Sequence, residues 1–424
     1  MAQFRSDLLS LDGSTDSRME VVMLGNQRGG VAEFRPTFTQ KNRLRVSNIT
    51  TNFFSTFQYD KSPSAWDEAV VGTGVGEWDP DGRHVHLGVF ETGDEVIRQT
   101  RNVMRYTPSR GTQISIALNF KGHVPGLRKR AGIFDENNGV FFESDGTELW
   151  AVIRSSVSGT PVERRVRQSD WNRDKLNGVG SSKATLDLSK VQMIVLDYEW
   201  YGAGQVNVGF VIENYYIVVH EFYHGNMFDS TWSATPFLPI RLELTNVSAG
   251  SGTWYMEQYS ASQVEEGEAM DQGISRNVIT PLEGKTLSVA DTWYPVISIR
   301  IQSDKLNSVV IPTYFAIATS DNTLLHYRLT RNATLTGAVW TPHSIADSVV
   351  EYDTSATGVS GGTAINSGFV PGGTNPGAME LNGHATYQLG RTNMGTASDI
   401  WTLQVASSVG NKTAHGTINW VEQR

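Results

Sequence analysis

The chain has 424 residues, with 35 Lys and Arg against 44 Asp and Glu, a formal net charge of −9 and no cysteine. Length alone suggests two or three domains, and a chain of this size buries roughly three quarters of the surface its unfolded form exposes, so its core needs no covalent staples. Zero cysteine excludes disulfides, iron–sulfur clusters, thiolate zinc sites and cysteine nucleophiles, and the acidic balance argues against nucleic acid or an anionic membrane as the main partner.

The apolar runs Met193–Leu196 and Tyr215–Val219 are far too short to span a bilayer, so no membrane insertion is expected. The first residues carry no basic segment followed by an apolar one, so no secretory signal is expected. Forty-one glycines, with abundant Thr, Val, Tyr and Trp, favour strands and turns over helices (41 Gly).

In chain order, residues 1–60 read as an extended assembly arm. Glu20–Leu24 suits a strand, closed by the turn formers Gly25-Asn26 and Gly29-Gly30. Arg43–Thr51 alternates, and Phe34, Phe38, Phe53, Phe54 and Phe57 supply anchors too few for a separate core. Residues 61–270 carry a dense series of short strands. Candidates are His84–Phe90, Gln113–Phe120, Arg130–Asp135, Gly139–Ser144, Leu149–Ser155, Val191–Trp200, Val206–Ile212, Tyr215–Phe222 and Ile240–Asn246. Asn138-Gly139, Asp145-Gly146 and Glu213-Asn214 separate them, and such pairs between apolar runs signal hairpins. One short helix is expected at Ser169–Leu176. Even strand spacing implies a jelly-roll-like β-sandwich.

Val264–Gly273 turns polar and acidic and reads as a linker. Residues 271–424 then restart the pattern as a second, smaller β-sandwich. Its candidates are Tyr294–Ile301, Val309–Thr319, Leu324–Leu329, Ala338–Trp340, Val349–Tyr352, Trp401–Ala406 and Gly416–Val421. Thr354–Gly377, rich in Gly, Ser, Thr and Pro, reads as a long loop. The expected fold class is therefore all-β: an extended arm and two sandwiches.

Four constellations are candidates for chemistry. His220-Glu221-Phe222-Tyr223-His224 spells the H-E-x-x-H zinc-peptidase pattern. That chemistry needs a helix, where the two imidazoles lie about 6 Å apart at Cβ. The preceding Tyr215–Val219 is strand sequence, and on a strand residues four apart sit roughly 13 Å apart. His220 and His224 are therefore expected to bind no metal. Asp197 and Glu199, two apart on a strand, point to one face about 7 Å apart. The run resembles part of the Glu-x-Asp-x-Glu strand of jelly-roll endoglucanases, whose retaining chemistry sets two carboxylates roughly 5–5.5 Å apart. Val195 stands where the first acid belongs, so a solvent-facing or Arg-paired pair is expected, with Trp200 and Tyr201 left to line a glycan groove.

His84 and His86 share a strand face near Asp79, Asp81 and Glu91, an arrangement that ligates metal only with further partners. Gly72-Thr73-Gly74-Val75-Gly76 lacks the P-loop lysine and a following helix and reads as a flexible loop. Basic clusters at Arg128-Lys129-Arg130, at Arg164-Arg165 with Arg167, and at Arg98, Arg101 and Arg105 suit solvated faces or acidic partner surfaces. No catalytic, cofactor-binding or metal residue is assigned, and no cofactor is expected.

Several stretches resemble virion structural proteins of tailed phages, especially marine and cyanobacterial ones. They are Arg105-Tyr106 with Pro108 and Arg110, Gly132 to Asp135 with Gly139 to Glu143, Trp171-Asn172 with Asp174, Leu196 to Trp200 with Gly202, Gly204 and Val206, and Leu238 to Arg241. Val349 to Asp353, Gly361-Gly362, Trp401 to Leu403 and Ile418 to Glu422 look similar to a companion domain. The resemblance covers about residues 100–424. It implies a tail, baseplate or head-surface protein made in the host cytoplasm and built into the virion. The partners it implies are other virion proteins and further copies of the chain, a trimer being the expected state. A host-surface glycan, bound lectin-fashion or cleaved, is the alternative partner.

Overall fold

The structure, a computed structural model, describes residues 47–267, 273–319, 321–372 and 388–423, together with the backbone of Gly377–Glu380. The first sandwich holds fifteen strands. They are β1 (Ile49–Thr56), β2 (Trp66–Val71), β3 (Val75–Asp79), β4 (His84–Val89), β5 (Glu95–Thr100), β6 (Thr112–Asn119), β7 (Leu127–Phe134), β8 (Gly139–Ser144), β9 (Leu149–Ser155), β10 (Val162–Arg167), β11 (Gln192–Tyr198), β12 (Val206–Ile212), β13 (Tyr215–Phe222), β14 (Ile240–Asn246) and β15 (Trp254–Glu266). An eight-stranded sheet runs β13-β12-β11-β6-β15-β4-β3 with β1 also on β15, and a seven-stranded sheet runs β10-β9-β8-β7-β14-β5-β2. All pairings are antiparallel, so this is the jelly-roll-like all-β architecture the strand spacing predicts.

Alternation decides which residues meet between the sheets. Ile114, Ile116 and Leu118 of β6, Ile194, Leu196 and Tyr198 of β11, and Leu242 and Leu244 of β14 point inward into one core. The residues between them form the two outer faces. The hairpins read from the sequence are in register: Phe134 faces Gly139, and Ser144 faces Leu149. Gly139 takes φ +136°, and a Cβ there would sit 2.3 Å from the Ile133 carbonyl oxygen, so glycine is required.

The second sandwich packs two sheets. One runs Ile274–Ile279, Lys412–Gln423, Val309–Ala318 and Gly377–Glu380, with Lys285–Leu287 also on Lys412–Gln423. The other runs Thr341–Pro342, Val350–Asp353, Tyr294–Ile301, Trp401–Ser407, Leu325–Arg331 and Thr363–Val370. It has its own core around Trp401, Trp420 and Phe315. The two sandwiches touch: the Arg391 N–H donates to the Arg101 carbonyl at 2.8 Å, and the Met394 N–H to Asp67 at 2.8 Å. Val309 and Ile311 join the first core.

Several expectations are corrected. The arm does not extend to residue 60: β1 pairs with β15 from Ile49↔Glu266 to Thr56↔Ser260, and Phe57 is buried in the core, because Phe53, Ser55 and Phe57 face inward. Residues 1–46, with the Glu20–Leu24 strand, lie outside the described residues. The linker does not begin at Val264, since β15 runs on to Glu266. Ser169–Leu176 is not a helix; only Gln168–Asp170 makes a single 3₁₀ turn, and Leu176 adopts φ +47°. Ala338–Trp340 is not a strand, whereas Thr334–Thr336 and Thr341–Pro342 are. The supposed loop Thr354–Gly377 contains strands Gly358–Ser360 and Thr363–Val370. Gly72–Gly76 is not a loop throughout: Gly72 makes the turn, and Val75 and Gly76 belong to β3.

Candidate functional site

Strand β11 sets Val195 and Asp197 on the outer face of the eight-stranded sheet, opposite Ser115 and Gln113 of β6. Asp197 and the following Glu199 are each 1% exposed, so of the two expected settings, solvent-facing or Arg-paired, the solvent-facing one is overturned. A Cβ on Gly204 would stand 1.6 Å from the Glu199 carbonyl oxygen, so the turn after Glu199 is closed tightly over it. Beside it the Tyr106 and Trp200 rings meet edge to face at 6.1 Å. Tyr106 accepts the Tyr201 N–H at 3.1 Å, and burial pushes its phenol up to about 12. These two aromatics, with Phe237, Glu136, Lys305 and Arg391, line a cleft of about 1030 Å³ between the sandwiches.

His220 and Glu221 lie in strand β13, the conformation their flanking residues predict. The strand turns His220 toward the Asn172 N–H, which donates to Nδ1 at 3.3 Å. Burial, aided by Arg164, holds the imidazole down at about 4. Arg173 and the Tyr223 hydroxyl bind the Glu221 carboxylate. His224 reaches the Ser230 carbonyl and stacks on Phe228 at 4.8 Å. Each member of the motif thus has its own separate partners.

The basic clusters are also bound within the chain. Arg98 pairs with Glu68, donates to Gln258 at 2.8 Å and lies over the Trp66 ring at 4.9 Å. Arg130 meets Glu143 at 2.5 Å, Arg165 meets the same Glu143, and Arg167 meets Asp170 at 2.6 Å. Lys129 points into the core and donates to the Gly122 carbonyl at 3.1 Å, and burial holds its amine down at about 8. Alternation puts Arg130 and Lys129 on opposite faces, which a count of neighbouring charges does not register. His84 and His86 do come together with Asp79, while Asp81 and Glu91 stay out of that group.

Strand β1 carries exposed apolar side chains on an outer edge of the first sandwich. Its inward side is anchored by Ser55, which accepts from Trp66 Nε1 at 2.9 Å, and by Phe57, whose carbonyl accepts from Trp78 Nε1 at 2.8 Å. Its outward residues are Ile49, Thr51, Phe54 and Thr56, with Ile49 66% and Phe54 75% exposed. Among the described residues no strand pairs with the far edge of β1. In sequence Phe53, Phe54 and Phe57 all read as anchors of an assembly arm; alternation sends Phe53 and Phe57 inward and Phe54 outward.

No protein-family model matches the chain. No curated protein matches it either. Solved structures of similar shape include an endo-1,3-beta-glucanase from Streptomyces sioyaensis, at 8% identity over 52% of this chain and 97% of that one, with a TM-score of 0.35. Arcelin-5, a lectin-like defense protein from Phaseolus vulgaris, matches at 9% identity over 52% and 99%, with a TM-score of 0.31. A legume lectin-like domain from Entamoeba histolytica matches at 9% identity over 49% and 95%, with a TM-score of 0.30. Likeness at this level carries no inference about activity.

Proposed function

We propose that the protein is a structural component of a tailed-phage particle, at its tail, baseplate or head surface, acting through protein–protein assembly rather than catalysis. The supporting observation is the edge of β1. Sheet edges are usually guarded by lysine, proline or a bulge that turns them away. The sequence Ile-Thr-Thr-Asn-Phe-Phe-Ser-Thr of β1 has no charge and no proline. Its one register shift, between Thr51 and Phe53, is followed by an unbroken ladder from Phe53↔Gln263 to Thr56↔Ser260. Unpaired backbone beside exposed Ile49 and Phe54 suits addition of a strand from another chain, with apolar side chains fixing the register. A closed homo-oligomer, a trimer in this reading, buries such edges between copies.

The test is the mass of the purified full chain by light scattering, and its presence in purified particles. The wild type is expected to be oligomeric. A double variant, Ile49→Lys with Phe54→Lys, and a chain lacking residues 1–45 are each expected to keep the β circular dichroism spectrum and lose oligomerisation or incorporation. A monomeric wild type absent from particles, or variants that assemble like it, would defeat the reading. The second reading, a glycan binder, is supported by the aromatic and polar lining of the cleft at Tyr106 and Trp200. Retention of a monomeric wild type on host polysaccharide, lost in Trp200→Ala, would favour it. Release of reducing sugar that disappears in Glu199→Gln would show an enzyme instead.

A further inference from the structure

The hairpin of β3 and β4 brings three ligand-type side chains to one point on the outer face of the eight-stranded sheet. Asp79 is the last residue of β3 and pairs with His84, the first of β4. His86 follows two residues on, on the same face. One ligand atom from each of Asp79, His84 and His86 lies within 4.8 Å of the others. Asp79 Oδ2 is 3.3 Å from His86 Nε2 and 3.9 Å from His84 Nε2. Donor atoms around a tetrahedral zinc with bonds of about 2.0–2.1 Å stand about 3.3 Å apart. The Asp79–His86 distance already matches that spacing, and closing on an ion asks the His84 ring to move nearer.

Two features separate this cluster from a chance meeting. The turn presets Asp79: its Oδ1 accepts the N–H groups of Asp81 at 2.8 Å and Gly82 at 2.9 Å, which leaves Oδ2 for the histidines. The second feature is His84, only 6% exposed, with neither ring nitrogen hydrogen-bonded. Leaving buried polar atoms unsatisfied is costly, and native proteins seldom do it without a ligand or a water to answer them. Gly82 makes room for the ring, since a Cβ there would lie 2.2 Å from His84 Nδ1.

The surroundings fit the same use. Glu257 on β15 faces His86 across the ladder, with Oε1 3.5 Å from His86 Nδ1 and 3.5 Å from His84 Nε2. Lys121 already holds that oxygen at 2.8 Å, and Tyr259 donates to the other at 2.7 Å. Glu257 Oε1 lies equally near His86 Nδ1 and His84 Nε2, neither of them hydrogen-bonded; with His86 turned onto an ion through Nε2 it would take up Nδ1, as carboxylates behind metal-bound histidines do. Tyr255 and Tyr259 wall the imidazoles at ring distances of 5.2 and 4.9 Å.

We propose that Asp79, His84 and His86 bind one divalent transition-metal ion of the zinc class, with Glu257 positioning His86 and a water completing the coordination. This departs from the expectation that the histidine pair lacks partners. The ion would clamp the β3–β4 turn beside β15, independently of any assembly role.

The test uses the full chain without a histidine tag, stripped with chelator. Zinc chloride is titrated by calorimetry and cobalt chloride by visible absorption. One ion per chain, tetrahedral cobalt bands and a raised thermal midpoint with zinc are expected. Asp79→Asn and His84→Gln should each weaken binding by at least about tenfold, and Glu257→Gln by about tenfold. His220→Gln should leave binding unchanged. If His84→Gln fails to fold, His86→Gln at the more exposed position carries the same test. Absence of saturable binding up to about 1 mM metal overturns the proposal. So does binding unaltered in a folded His84→Gln or His86→Gln chain.

Discussion

The two outer faces of the first sandwich treat charge in opposite ways. On the seven-stranded sheet every arginine of the central rows is answered. Arg130 meets Glu143 at 2.5 Å, Glu243 at 3.3 Å and Glu163 at 3.4 Å, Arg154 meets Glu163 at 2.8 Å, and Arg241 meets Glu243 at 2.6 Å. The guanidinium planes of Arg154 and Arg241 also lie over Phe134, at 5.7 and 5.5 Å, and that of Arg130 over Phe141 at 5.3 Å. Planar, always-charged groups suit such a lattice. The eight-stranded sheet instead presents the His84 nitrogens without hydrogen bonds, and Ile49 and Phe54 in the open. A face that satisfies its own groups has little left to offer a ligand. Unsatisfied polar atoms and bare apolar side chains are where binding is to be sought.

The sharpest way to break this contrast is to open the closed face. Arg130→Ala takes one guanidinium from buried Glu143 and Glu243, which keep Arg165 and Arg241, so the loss should stay at the lower end of the range for a buried pair deprived of a partner, about 3 kcal/mol. Urea unfolding should show a loss of that size with the slope unchanged. A loss below about 1 kcal/mol would mean that the lattice is solvated.

A smaller effect is expected from His220, buried near the edge of the eight-stranded sheet. Its folded value of about 4 lies below the unfolded value near 6.5, so the unfolded chain binds the extra proton between them. Stability attached to neutral His220 is full above about pH 6.5 and is lost as pH falls toward 4; the shift corresponds to about 3 kcal/mol, which solvent screening of the partly exposed ring reduces to about 2 kcal/mol. Thermal melts at stepped pH should show this slope in the wild type and a shallower one in His220→Gln. The smallest effect belongs to the open face: Phe54→Lys should change the monomer's own stability by no more than about 0.5 kcal/mol. A large destabilisation there would place Phe54 among groups that the fold itself needs.

The strands bounded by strong turn formers are legible in the sequence: β8, β9, β12 and β13 fall on the residues that their flanking Asn-Gly, Asp-Gly and Glu-Asn pairs predict. Strands β2 and β3 are not. Asp67 and Glu68 interrupt the first, and the glycines of 72–76 disguise the start of the second, although Gly76 is simply packed beneath Glu68. Missing β3 hides the hairpin, and with it the register that brings Asp79 to His84. The histidine pair is visible in one dimension, and its partners are not. Glu257 arrives from a strand far along the chain, and only the β15–β4 ladder sets it opposite His86. The motif H-E-x-x-H shows the converse. Its letters are present, but the backbone around His220 is extended, and spacing has meaning only on the element that carries it.

Strand β15 is long enough to serve two neighbours on one side, β4 along Trp254–Gln258 and β1 along Ser260–Glu266. The two lie end to end, so their ladders break independently. Tension on the chain at Asn48, whose carbonyl accepts the Gly267 N–H at 2.6 Å, would enter the first sandwich at the β1–β15 ladder before it reached the β4 ladder. Drawn along the strand, that tension would be shared by all the pairs from Ile49↔Glu266 to Thr56↔Ser260 at once. Drawn across it, the pairs would open one after another from Ile49. The same seam is thus stiff to one direction of pull and yielding to the other, which makes β1 a joint with a preferred axis of load.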